Sequence, residues 1–181
     1  MNNNSSTDHR VNSLLGRRLP ATALPSTTGV DVDLSSLAGW CVLFIYPRTG
    51  NPNEPAPEGL SDVPGARGCT PQACGFRDTR NQLAESGILS VFGLSTQAST
   101  YQQEFVERMS LNYPLLSDPN CTLASSLGLK TFDVEGQTFY ARTTLITQEG
   151  RVVKVFEDIQ DPGANASEVL VWIVENKLTE A

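Results

Sequence analysis

The stretch Trp40-Cys-Val-Leu-Phe-Ile-Tyr46 is an unbroken apolar run of strand length. A strand with one face in water alternates apolar and polar residues, whereas a strand covered on both faces is continuously hydrophobic. This segment therefore predicts the central strand of an α/β sheet. Just upstream, "ALPSTTGVDVDLSSL" (residues 23–37) carries a turn at Gly29 and alternates Val30 and Val32 with Asp31 and Asp33, which predicts a short β region. Downstream, residues 47–68 hold Pro47, Pro52, Pro55, Pro57 and Pro64 with Gly50, Gly59, Gly65 and Gly68. That composition predicts a long inserted loop, of the kind that compact domains keep for function.

Beyond the loop, helical periodicity resumes through Ala73, Phe76, Leu83 and Ala84 and stops before Gly87. "ILSVFGLS" (88–95) reads as a second strand, and Tyr101, Phe105 and Met109, four apart, mark a second helix. "YPLLSD" (113–118) is a short strand, and "CTLASSLG" (121–128) is a short helix stopped by Gly128. "ARTTLIT" and "RVVKVFE", joined by a Glu149-Gly150 turn, predict a hairpin. A last helix opens at Asn165 with Glu168 three residues on, the spacing of a capping box. Strands alternating with helices, then a hairpin and a helix, predict an α/β fold with a central mixed sheet flanked by helices.

The chain has 181 residues, 39% of them hydrophobic and 18% charged, enough for one core and too few for two. One domain is expected over residues 18–181, behind a polar leader, residues 1–17, whose Asn and Ser predict disorder. The formal net charge of −7 opposes nucleic-acid binding, which rests on Lys and Arg displacing counterions. The longest apolar run falls far short of the roughly 20 residues of a membrane span, and the first residues lack the apolar stretch of a signal peptide. A cytoplasmic protein is expected. In that compartment the four cysteines at 41, 69, 74 and 121 point to metal, catalytic or redox chemistry rather than to a disulfide framework.

An absence narrows the choice. The one histidine, His9, lies in the leader, which argues against Cys–His or Ser–His catalysis. No metal site is expected either, because the cysteines form no closely spaced knuckle and Cys41 sits inside the apolar strand. Thiol redox chemistry remains. Pro71 fits the first turn of a helix, so that helix begins around Gly68 to Thr70 and Cys69 stands at its N-terminus. Free amides and the helix dipole favour a thiolate there, and Arg67 adds a cation. Cys74 follows five residues later, toward the flank of the apolar face. Five helical residues separate Cα atoms by about 8.5 Å, beyond the ~7 Å a disulfide tolerates, so pairing requires the helix start to unwind. Replacing Gly68 by Ala is expected to stiffen that start if the backbone angles permit.

Ordinary packing is the competing reading for these two cysteines, since free cysteine is commonly buried as a small hydrophobe. Cys41 reads as core. Cys121 reads as structural, with a second resolving thiol as the alternative. Arg142 in "YARTTLIT" is either a solvated strand end or a cation aimed at a site, and its removal is expected to change stability little.

The run "GCTPQACGFRD", preceded by "FIYP" and followed by "ARTTLITQEGRVVKVF", resembles the peroxiredoxins of the Q-type or bacterioferritin-comigratory subfamily over roughly residues 19–177. The resemblance implies a thioredoxin-like fold and thiol-dependent reduction of hydrogen peroxide and organic hydroperoxides. It makes Cys69 the peroxidatic cysteine, Cys74 the resolving cysteine and Arg142 the residue that polarises the peroxide. It implies no cofactor, thioredoxin or glutaredoxin as reductant, and a monomer or weak homodimer. One motif departs: the family's Pro-x-x-x-Thr/Ser-x-x-Cys would place a hydroxyl beside the thiolate, whereas this chain has Asp62 and Ala66 at those positions. Thr49, in "YPRTG" before the insertion, is the candidate replacement. Two other classes stay open: a thioredoxin-like thiol–disulfide oxidoreductase, although C-x-x-C is missing, and a non-catalytic redox sensor.

Overall fold

The computed structural model describes residues 4–177. Strand β3 (Trp40–Ile45) lies in the middle of a five-stranded sheet. β4 (Ile88–Ser95) and then β5 (Leu115–Ser117) run parallel to it on one side. On the other side β8 (Thr143–Gln148) runs antiparallel to β3, and β9 (Arg151–Phe156) pairs antiparallel with β8 as a hairpin. The sheet is mixed, as the alternation of elements predicts.

The continuous apolarity of β3 has the expected cause, since both of its faces are covered. Val42, Phe44 and Tyr46 point into one buried cluster, Leu43 and Ile45 into another. The first cluster is closed by α2 (Cys69–Glu85), α3 (Ser99–Met109) and α5 (Asn165–Lys177) through Phe76, Leu83, Phe105, Val169 and Ile173. Phe44 stacks on Phe76 at 4.5 Å and meets Tyr113 edge-on at 5.6 Å. Such pairs add about 0.5–1.5 kcal/mol to the burial of the rings themselves. The opposite face is covered by the short pair β1 (Ala23–Leu24) and β2 (Val32–Asp33) and by α4 (Thr122–Leu127). Asp118 accepts from the amides of Thr122 and Leu123 and from the Tyr140 hydroxyl at 2.6 Å, which fixes the start of α4.

The leader is a correction. Residues Asn4–Leu14 form a helix, α1, rather than a disordered tail. Leu14 is fully buried with Val11 packed nearby, and Arg10 pairs with Glu157 at 2.7 Å. Val11 and Leu14, three apart, supply an apolar stripe that the overall Asn and Ser content conceals. Residues 1–3 lie outside the described residues.

A second hairpin is new. β6 (Thr131–Val134) and β7 (Gln137–Tyr140) meet at Glu135-Gly136, where both residues have positive φ, 48° and 73°. Two left-handed residues make the turn that matches strand twist. Phe132, Val134 and Phe139 of this hairpin pack on Leu60, Val63 and Ala66. They pin the far half of the proline-rich loop, whose regular structure is one 3-10 turn over Leu60–Asp62. Among the described residues no helix is long and apolar enough to cross a membrane.

Candidate active site

α2 starts at Cys69 because of the residue before it. Gly68 holds φ 96° and ψ 13°, a region that costs a residue with a Cβ about 1–2 kcal/mol. A Cβ at Gly68 would also stand 2.7 Å from Cγ of Pro162. Both facts remove Gly68→Ala as a way to stiffen the helix start. Cys69 occupies the first helical turn, where unpaired amides and the dipole favour negative charge.

The Cys69 thiol is buried, with 4% exposure, and faces Arg142. Arg142 Nη2 donates to Cys69 Sγ at 3.2 Å, to the Arg67 carbonyl at 2.8 Å and to the Gly65 carbonyl at 3.2 Å. Its Nη1 donates to Gln72 Oε1. At 7% exposure Arg142 is no solvated strand end. A buried cation is costly unless paired, yet among the described residues no carboxylate forms an ion pair with it. Of its hydrogen-bond partners, the Cys69 sulfur is the one able to carry negative charge.

Arg142 is held in turn. Gln72 Nε2 donates to Asn165 Oδ1 at 3.0 Å, and Thr144 Oγ1 donates to the same oxygen at 2.8 Å. All three side chains are fully buried. The capping-box reading of Asn165 is thereby corrected: α5 does open at Asn165, but the side chain turns inward to Gln72 and Thr144 while Glu168 stays exposed. Gln72, Thr144 and Asn165 were not legible as site residues. A glutamine three positions after Cys69, on the face shared with Ala73 and Phe76, was the available signal.

Thr49 is bonded to Gln97 rather than to Cys69. Its hydroxyl and its amide both donate to Gln97 Oε1, at 3.1 and 2.9 Å, and among the described residues no hydrogen bond joins it to Cys69. The network of Thr49, Gln97 and Ser95 ties down the chain leaving β3. The family's hydroxyl thus has no counterpart bonded to Cys69: the thiol's other partner is the Ala66 carbonyl at 3.7 Å. Ala84, expected on the buried stripe of α2, is exposed.

The remaining cysteines separate by position. Cys74 is half-buried on α2, on the same side of the sheet as Cys69. Cys41 is core, and burial pushes its thiol up. Cys121 packs against the cluster on the opposite face of the sheet. Burial first, then the charges of Asp118 and Asp133, raise its thiol and hold it protonated. Cys121→Ser is therefore expected to keep peroxide turnover within about twofold of wild type, measured as steady-state consumption. A collapse of turnover would make Cys121 the second redox thiol.

A cleft of about 640 Å³ opens beside this arrangement, lined among others by Pro64, Gly65, Arg67, Gly68, Arg142 and Pro162. Cys69 itself lies behind that lining, but the cleft reaches both the residue that precedes it and the guanidinium that contacts it.

The Redoxin family model matches residues 14–170. The sequence is 30% identical over 164 residues to Peroxiredoxin Bcp of Escherichia coli K12, covering 87% of this chain and 93% of that protein. Peroxidoxin BcpB of Mycobacterium tuberculosis, a solved structure, is 30% identical with a TM-score of 0.69 and covers 90% of this chain and 97% of its own. Peroxiredoxin Q of Xanthomonas campestris shares the fold, with a TM-score of 0.69 at 20% identity over 91% of this chain and 98% of its own.

Proposed function

The chain belongs to the peroxiredoxins, thiol peroxidases with a thioredoxin-like fold, in their Bcp or Q-type branch, and from that membership we propose that Cys69 attacks the peroxide and Cys74 resolves the product. The observation that carries this reading is the buried Arg142 guanidinium, 3.2 Å from Cys69 Sγ and without a carboxylate partner among the described residues. It provides a countercharge for a thiolate, the reactive form of cysteine.

The thiolate sulfur bonds to one peroxide oxygen, and the O–O bond breaks. Cys69 becomes a sulfenic acid, and the departing oxygen takes a proton to leave as water or an alcohol. Arg142 stands where charge develops on the separating oxygens, and its fixed position means that little reorganisation is needed during the step. The Cys74 sulfur then attacks the sulfenic sulfur, the S–O bond breaks as the disulfide forms, and the expelled hydroxide takes up the Cys74 thiol proton to leave as water. An external dithiol, thioredoxin or glutaredoxin, reduces the disulfide through a mixed disulfide and is itself oxidised. Hydrogen peroxide and organic hydroperoxides share the O–O bond on which the step depends.

Peroxide consumption followed with a thioredoxin or glutaredoxin reducing system tests the reading. Turnover over many equivalents of protein is the expected result. Consumption that stops after one equivalent would indicate a redox sensor, and disulfide exchange without peroxide consumption would indicate an oxidoreductase.

A further inference from the structure

Gln72 lies between Cys69 and Cys74 on α2, and the chemistry above gives it no task. Burying a primary amide is costly unless its polar atoms are bonded. Gln72 meets that demand with two partners on different elements: Oε1 accepts from Arg142, just before β8, and Nε2 donates to Asn165 at the start of α5. We propose that Gln72 is a positioning residue for Arg142 and also the latch that sets how readily the start of α2 unwinds. The proposal rests on the roles assigned above to Cys69 and Cys74.

In the closed state Gln72 Oε1 holds one arm of the guanidinium, which leaves Nη2 facing the sulfur and the carbonyls of Gly65 and Arg67. Gln72 cannot swing away freely, because Asn165 Oδ1 grips its amide and Thr144 fixes Asn165. The attack geometry is thus supported from the far side of the guanidinium by groups on β8 and α5.

Opening reverses this. At helical spacing the two cysteine Cα atoms stand about 8.5 Å apart, and a disulfide tolerates about 7 Å. The residues between them must leave helical geometry, so Gln72 is carried off both of its partners. Arg142 then loses an acceptor. Asn165, whose Nδ2 is already buried without a partner, loses a donor as well. Unmade bonds at buried groups penalise the open state. A firm latch therefore favours attack and delays resolution. During that delay the sulfenic acid remains open to a second peroxide molecule, which would add another oxygen to give the sulfinic acid.

Rapid-quench mass spectrometry on full-length Gln72→Met, with one equivalent of hydrogen peroxide, reads the two steps separately. Loss of the Cys69 thiol is expected to slow about tenfold, the lower range for losing support of an electrostatic stabiliser. Disulfide formation from the sulfenic acid is expected to accelerate by about threefold or more as the buried bonds holding the helix start are lost. A residue with only a structural role would move both steps in the same direction. Asn165→Ala, at a residue whose side-chain oxygen is bonded to Gln72 and Thr144, is expected to show the same split with smaller amplitude, and it carries the test if Gln72→Met does not fold. An unchanged peroxide step, or a disulfide step that is unchanged or slower, overturns the latch. Wild-type protein that consumes no peroxide overturns the underlying assignment, whereas normal wild-type turnover with unaffected variants overturns the latch alone.

Discussion

Cys69→Ser is expected to lose peroxide reduction by on the order of a thousandfold or more, the scale for removing the nucleophile from a site whose parts act as a unit. The serine hydroxyl does not ionise near neutral pH, so Arg142 would face a neutral group, and no oxygen would be transferred. Cys74→Ser is expected to behave differently. Its single-turnover peroxide step should remain near wild type, and the Cys69 sulfenic acid should accumulate because the second thiol is missing. Dimedone labelling followed by mass spectrometry measures this directly. Equal loss of the first turnover in both variants would contradict the separation of roles, and a disulfide forming in Cys74→Ser would identify another resolving thiol. Cys121 is a poor candidate for that part, because the sheet stands between its cluster and that of Cys69.

Arg142→Ala is expected to slow the peroxide step by about tenfold to a hundredfold, the range for removing a fixed electrostatic donor. Here the structure alters the expectation taken from sequence. A solvated strand end could be removed at little cost, but Arg142 is buried and holds two carbonyls and Gln72. Its loss leaves acceptors unpaired in the interior, so the variant is also expected to be less stable by about 1–3 kcal/mol in urea denaturation. Arg142→Lys keeps the charge without the planar fork, and it is expected to fall between wild type and alanine in rate. Wild-type peroxide rates in Arg142→Ala would remove the guanidinium from the mechanism.

The central sheet was legible because its signals are local. β3 is uniformly apolar, β8 and β9 flank a two-residue turn, and Gly128 stops α4 where the periodicity does. The hairpin of β6 and β7 has a comparable turn in Glu135-Gly136, but its strands are short and partly polar and give no clear alternation. The helical leader was concealed by composition, because one buried leucine and one ion pair anchor a segment that is otherwise polar. At the site, Cys69, Cys74 and Arg142 stood out as unusual residues in their surroundings. Gln72, Thr144 and Asn165 did not, because what distinguishes them is where three separate elements bring them together, and no spacing along the chain encodes that. Thr49 shows the opposite failure: a hydroxyl in a suggestive position that is bonded to Gln97 instead.

Turnover by this route requires α2 to open at its start so that Cys69 and Cys74 can join. Hydrogen exchange, read residue by residue after one equivalent of peroxide and combined with mass mapping of the disulfide, tests this most directly. The reduced protein begins the experiment with all four cysteines free and Cys69 in the first turn of an intact helix. Oxidation is expected to yield the Cys69–Cys74 disulfide and to raise exchange over residues 68–77. The loop next to α2 should loosen as the Arg142 contacts to Gly65 and Arg67 are lost. β3, in the centre of the sheet, should remain protected. A Cys69–Cys74 disulfide formed with protection across residues 68–77 unchanged, or a disulfide joining Cys69 to Cys121, would contradict the account.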